Sequence, residues 1–155
     1  MPDIVSRIVE VCVFRFRNNR QEYLLLKRAA GDALYPGMWQ LVTGTMRRRE
    51  KAAVAALREF DEETGLAPER FWVVPFVNAF YDRKNDAMNL IPFFAVQVST
   101  GATVKLSSEH SEYAWLSFQE ARKRLVWPGQ REGLDIVDGY IVSGEEAGKL
   151  LEVHL

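Results

Sequence analysis

The stretch from Glu50 to Thr64 narrows most sharply what this chain can fold into, because its helix formers end in a turn carrying Glu59, Glu62 and Glu63. At about 100° per residue these acids share one side of a helix, a single turn apart. Carboxylates at that spacing repel by a few tenths of a kcal/mol per pair in solvent, and more when partly buried. A plain surface helix gains nothing from them. A divalent cation reverses the sign of the interaction, and hard oxygen ligands on a rigid element suit Mg²⁺ or Mn²⁺. The spacing alone leaves a solvated acidic helix face open as the alternative. Ala52, Ala55 and Ala56 are expected on the carboxylate side, small enough to admit a ligand, and Ala53, Leu57, Phe60 and Thr64 on an opposite, core-facing stripe. Gly65 and then Pro68 predict the helix stop.

Strand signals surround this helix. Arg7 to Phe16 and Tyr23 to Lys27 are rich in β-branched, leucine and aromatic residues and are separated by Asn18, Asn19 and Arg20, which predicts a hairpin. Gly31, Pro36 and Gly37 mark a loop before a short strand at Trp39 to Val42. Phe71 to Phe80 and Leu90 to Val98 predict two more strands flanking a polar loop from Asp82 to Asn89, and Glu112 to Leu116 another. Ser117 with Glu120 forms a capping-box pattern before Phe118 to Leu125, and a late helix is expected over Arg131 to Val142, after the break at Pro128 and Gly129. Strands, helix, strands, helix without regular alternation predict an α/β fold with a mixed sheet between helices. A chain of 155 residues is expected to form one domain over 1–155.

Composition removes several classes of function. Twenty Lys and Arg against 21 Asp and Glu leave a net charge of -1, so no cationic field predicts a nucleic-acid partner. No long apolar run predicts a membrane span, and the amino terminus lacks the pattern of a signal peptide. Cys12 is the single cysteine and lies in an apolar run, which predicts a core side chain and fits a reducing, cytoplasmic setting.

Gly44, Glu50 and then Arg58 through Leu66, reading REFDEETGL, resemble the complete signature of the Nudix hydrolases. WQLVTGT at Trp39 to Thr45 and EHSEYAWL at Glu109 to Leu116 are similar to the branch of nucleoside triphosphate pyrophosphohydrolases that includes the dihydroneopterin triphosphate enzymes. The resemblance implies a Nudix fold and a metal-dependent hydrolase that cleaves a phosphoanhydride in a nucleotide or pterin triphosphate. It assigns Glu59, Glu62 and Glu63 to the metal, with the backbone carbonyl of Thr43 as a further ligand and Arg58 orienting the carboxylates. Glu59 and Glu109 stay open as the general base. Gly44, Glu50 and Gly65 are expected to shape the motif. An ADP-ribose or nucleotide-sugar pyrophosphatase and a catalytically silent binding module remain alternatives, and a homodimer is left open.

Many relatives have acids near the position of Glu50, whereas this chain has Arg47, Arg48 and Arg49, expected either to attract phosphate or to form a solvated loop. Aromatic faces stack on heterocycles and amides read their edges, which makes Trp39, Tyr81, Asp82, Arg83, Trp127 and Gln130 candidates for base recognition. His110 is read as a loop hydrogen-bonder rather than a ligand, because no paired histidine spacing accompanies it.

Overall fold

In the computed structural model, which describes residues 1–32 and 34–155, the described residues form nine strands and four α-helices. They run β1 (Asp3–Val5), β2 (Ile8–Arg17), β3 (Arg20–Arg28), β4 (Trp39–Gln40), β5 (Val42–Thr45), α1 (Ala52–Thr64), β6 (Arg70–Asp82), β7 (Ala87–Gln97), β8 (His110–Leu116), α2 (Phe118–Arg124), α3 (Pro128–Ile136), a π-helical continuation at Val137–Val142, α4 (Glu146–Leu150) and β9 (Glu152–Val153). The central path through the sheet is β4-β3-β2-β7-β6-β9. The sheet is mixed, since β7 runs parallel to both β1 and β2 while the other pairs are antiparallel.

Period-two alternation makes β2 the spine of two cores. Val9, Val11 and Val13 face α1 and join Leu24, Leu26, Phe60, Phe94 and Val96. Cys12 and Phe14 face the other way, into a second core with Leu25, Phe93, Leu125 and Leu134 from the side of α2 and α3. Each large apolar side chain buried this way contributes roughly 1.5 to 3 kcal/mol, so both helix layers are held to one sheet by the same strand. Cys12 is fully buried, and burial pushes its thiol far above the usual range. No helix among the described residues is long and apolar enough to cross a membrane.

Local chemistry explains the joints. Asn18 and Asn19 both have positive φ, at 51° and 61°, as a two-residue hairpin turn matched to strand twist requires. Gly65 ends α1 in the left-handed region at φ 65°, its N–H donating to the Asp61 carbonyl. The Ser117 hydroxyl accepts from the Glu120 N–H at 3.3 Å, capping α2.

Several expectations need correction. The segment expected as one strand over Trp39 to Val42 splits into two, β4 pairing with β3 and β5 pairing with β2. The chain changes partner at Leu41 because β2 and β3 diverge. Helix α1 begins at Ala52, which leaves Glu50 in the preceding loop. The polar loop is shorter than expected, because pairing with β1 and β6 draws Ala87 to Asn89 into β7. Ala55 and Ala56 are fully buried against the sheet, whereas Ala53 and Leu57 are only partly buried. Their small side chains bring α1 close to β5; they do not clear a path for a ligand. Strands β1 and β9 and helix α4 are too short to leave a periodic signal.

Candidate active and metal site

Three elements converge on one cleft. Strand β5 brings Thr43 and Gly44, α1 brings Glu59, Glu62 and Glu63, and the turn before β8 brings Ser107, Ser108 and Glu109; together the last six line a cavity of about 120 Å³. Close packing of α1 on β5 is possible only because residue 44 has no side chain, since a Cβ there would lie 2.0 Å from Cδ of Glu59. Gly44→Ala is therefore expected to displace the Glu59 carboxylate and lower kcat by about tenfold or more, as expected when a positioned charge moves. A variant with wild-type kcat and an unchanged melting temperature would contradict this packing.

Glu63 is the most constrained of the acids. It is 2% exposed, it accepts the backbone N–H of Thr43, and its Oε2 meets no donor. Burial first, then the charges of Glu59 and Glu109, push its carboxyl up to about 9. Ligand atoms of Glu63, Glu109 and His110 all lie within 4.8 Å of one another. An orphaned buried oxygen, a buried carboxyl set among two other carboxylates and a donor set made mainly of hard oxygens fit a divalent cation, which would satisfy that oxygen and cancel the repulsion.

Arg58 organises the other side of the cleft. Its Nε and Nη2 donate to the two oxygens of Glu50, both at 2.8 Å. Nη1 donates to Glu59 at 2.7 Å and to Glu62 at 3.2 Å, and Nη2 also reaches the Thr45 carbonyl at 3.0 Å. Glu50 in turn accepts the Arg47 N–H at 2.7 Å. These donors hold Glu50 down at about 2, the Arg58 fork contributing most and the Arg47 amide next. Glu50 thus acts on the loop and on Arg58, away from the cavity.

The structure does not gather every candidate here. Trp39 lies under Arg124 and Lys27, with the cations 5.1 and 5.9 Å from its ring, and Trp127 packs edge-on against Tyr35. Tyr81 donates to Asp86 at the far hairpin, where Asp82 accepts from the Lys84 N–H and exposed Arg83 follows. None of these lines the carboxylate cavity. Arg47 meets Glu62 at 3.3 Å, while Arg48 and Arg49 are exposed in a turn. Gln130 is buried beneath Thr43, its Nε2 3.5 Å from that hydroxyl.

The sequence predicts a loop hydrogen-bonder at His110; the residue instead opens β8 and is buried, with its ring nitrogen 3.1 Å from the Gln40 amide. It also belongs to the group of potential ligands, with Nδ1 buried and without a partner. Burial and the nearby Arg28 charge lower its pKa, favouring the neutral ring. Adjacency to Glu109 was the only signal available, because β-pairing of residue 110 with Arg28 is what turns it inward.

Residues 6–135 match the family model described as NUDIX domain. The Octanoyltransferase of Myxococcus xanthus is 33% identical over 133 residues, covering 81% of this chain but only 35% of that protein, so the chain spans about a third of that relative's length. Nucleoside triphosphatase NudI of Klebsiella pneumoniae (strain 342) is 29% identical over 111 residues, 67% of this chain and 79% of that one. Among solved structures, the dihydroneopterin triphosphate pyrophosphohydrolase of E. coli superposes with a TM-score of 0.67 at 20% identity, over 84% of this chain and 96% of the other.

Proposed function

The chain belongs to the NUDIX family, and on that premise we propose that it hydrolyses a phosphoanhydride in a nucleoside triphosphate or a similar nucleoside diphosphate derivative. A triphosphate substrate would yield the monophosphate and pyrophosphate. The observation that supports this best is the carboxylate cluster opposite Gly44, in which buried Glu63 is repelled by Glu59 and Glu109, an arrangement that is unfavourable without a cation.

Glu59, Glu62 and Glu63 would hold Mg²⁺ or Mn²⁺, with Glu109, His110 and the Thr43 carbonyl at hand. When bound, such an ion offsets phosphate charge and makes a coordinated water more acidic. Arg58 keeps Glu59 and Glu62 aimed into the cleft while its fork is anchored on Glu50. Glu63 receives the Thr43 N–H, which locks β5 to α1. Glu109 faces the same cavity from a turn, and its carboxylate accepts no hydrogen bond from the described residues. That freedom suits it to take the proton from the attacking water, while Glu59, held by Arg58, suits a ligand. Arg47, which meets Glu62 at 3.3 Å, would supply charge toward phosphate at the edge of the cleft, with Arg48 and Arg49 exposed in the turn that follows.

A screen over dNTPs, NTPs, dihydroneopterin triphosphate, ADP-ribose and dinucleoside polyphosphates tests the reading. Turnover is expected with Mg²⁺ or Mn²⁺, abolition by EDTA, and recovery when the metal is restored. Ligand binding with no phosphate or pyrophosphate release from any compound would identify a silent binding module instead.

A further inference from the structure

A second cavity, of about 220 Å³, opens at the hairpin end of β6 and β7, where β1 joins the sheet, and shares no residue with the carboxylate cleft. Strand register builds it. Asp3 and Val5 of β1 stand opposite Ala87 and Asn89 of β7, and Asp82 of β6 stands opposite Ala87 from the other side. Paired residues, and residues two apart in one strand, share a face, so these five side chains lie on the same face of the sheet. Val5 and Ala87 give the cavity an apolar floor, and Arg7 borders it from the link between β1 and β2.

The polar groups there are positioned but not paired with one another. Asp82 accepts the Lys84 N–H at 2.9 Å and Asn85 Nδ2 at 2.6 Å, which fixes the hairpin turn and leaves each carboxylate oxygen a lone pair. Among the described residues the Arg7 guanidinium and the Asp3 carboxylate form no ion pair, although both border the cavity. Asn89 is 8% exposed, and its side-chain amide has no hydrogen-bond partner among the described residues. An exposed charge is free to stay with solvent, whereas a desolvated amide without a partner is costly. Packing alone would be better served by Val or Thr at that point of a strand, so the amide of Asn89 points to a ligand in the cavity.

We propose that this cavity binds a small zwitterion, a free α-amino acid with a short side chain, whose carboxylate meets Arg7 and Asn89 and whose ammonium meets Asp3 and Asp82. The charges of the lining select for it. A lone anion would face two carboxylates and a metal cation would face a guanidinium, whereas one molecule carrying both charges satisfies both. The guanidinium fork takes a carboxylate bidentately, and the Asn89 amide donates one bond more. An ammonium has three donors to share between two carboxylates. A short side chain would rest on Val5 and Ala87. The site lies outside the hydrolase cleft, so the inference goes beyond the proposed reaction and stands without it.

Titration of the ¹⁵N-labelled chain with L-alanine, L-alaninamide and N-acetyl-L-alanine, followed by ¹H–¹⁵N spectra, tests the proposal, because each blocked compound lacks one of the two charges. Alanine is expected to move the side-chain amide resonances of Asn89 and Asn85 saturably, with a Kd below about 1 mM. Each blocked compound is expected to bind at least about tenfold more weakly, the loss expected for hydrogen bonds to a charged group. Arg7→Met is expected to weaken alanine by about tenfold and to leave alaninamide unchanged, since that compound has no carboxylate to lose. Asp3→Asn is expected to weaken alanine and to leave N-acetyl-L-alanine unchanged. The same Kd is expected in Mg²⁺ and in EDTA, which separates this site from the carboxylate cleft. No saturable shift with alanine, equal affinity for the three compounds, binding that disappears in EDTA, or an Arg7→Met variant that weakens alanine and alaninamide alike overturns the inference. The wild-type ratios decide the matter even where a variant fails to fold.

Discussion

Replacing Glu63 by Gln is expected to lower kcat by about 10² or more and, in the same protein, to raise the melting temperature of the metal-free form. Both effects come from one carboxyl group. It is buried, it lies among the charges of Glu59 and Glu109, and its pKa in the folded chain is pushed up to about 9 from the ordinary 4.5. A carboxyl raised in the folded state contributes stability that is complete below the unfolded value and is lost as pH rises toward the folded one. The melting advantage of Glu63→Gln should therefore be absent below pH 4.5, grow between 4.5 and about 9, and level off above. Scanning fluorimetry in EDTA across that range measures it, and a gain independent of pH would contradict the assignment. The kinetic effect follows because Gln carries no charge to hold a cation. Glu59→Gln should show the loss of kcat as well, and near-wild-type turnover of both variants at saturating Mg²⁺ would sink the metal assignment.

Arg58→Met is expected to be the more damaging change for the fold. Its guanidinium donates to three carboxylates and one carbonyl, and its side chain is 16% exposed beside Glu50 at 10% and Glu59 at 12%. Removing it leaves two partly buried carboxylates without their cation, which is more harmful than never having built the pair. A fall in melting temperature of roughly 5 °C is expected at neutral pH, together with a loss of kcat as Glu59 swings free. The pH dependence is opposite to that of Glu63. Glu50 is held down at about 2, so its contribution is complete above the ordinary value of 4.5 and is lost as pH falls through about 2. The gap between wild type and Arg58→Met should narrow over that interval. Arg58→Lys keeps a charge without the fork and should recover only part of the stability. Equal melting of wild type and Arg58→Met at pH 7 would show the network to be a solvated arrangement of little weight.

The carboxylate helix, the hairpin turn at Asn18 and Asn19, the stop at Gly65 and the cap at Ser117 were legible in the chain because each depends on residues within one or two turns of one another. Periodicity and propensity are local, and they reported local structure well. The same locality explains the misreadings. Helical phase alone made Ala55 and Ala56 look like a ligand-facing surface, and only the approach of β5 showed that the sheet occupies that side.

What the sequence by itself determined is the order of the longer elements and the motif from Gly44 to Leu66. Tertiary structure alone decided which groups meet across long separations. It placed His110 beside Glu63, closed the Arg58 fork on Glu50, and set Glu10, Asn78 and Gln130 in one buried cluster, although they come from three elements far apart in the chain. Nothing in the residues around Glu10 marks it as different from any polar residue in a strand. Its raised proton affinity is created by desolvation, which depends on what the sheet and α3 exclude from around it, and that is a property of packing and of no local sequence pattern.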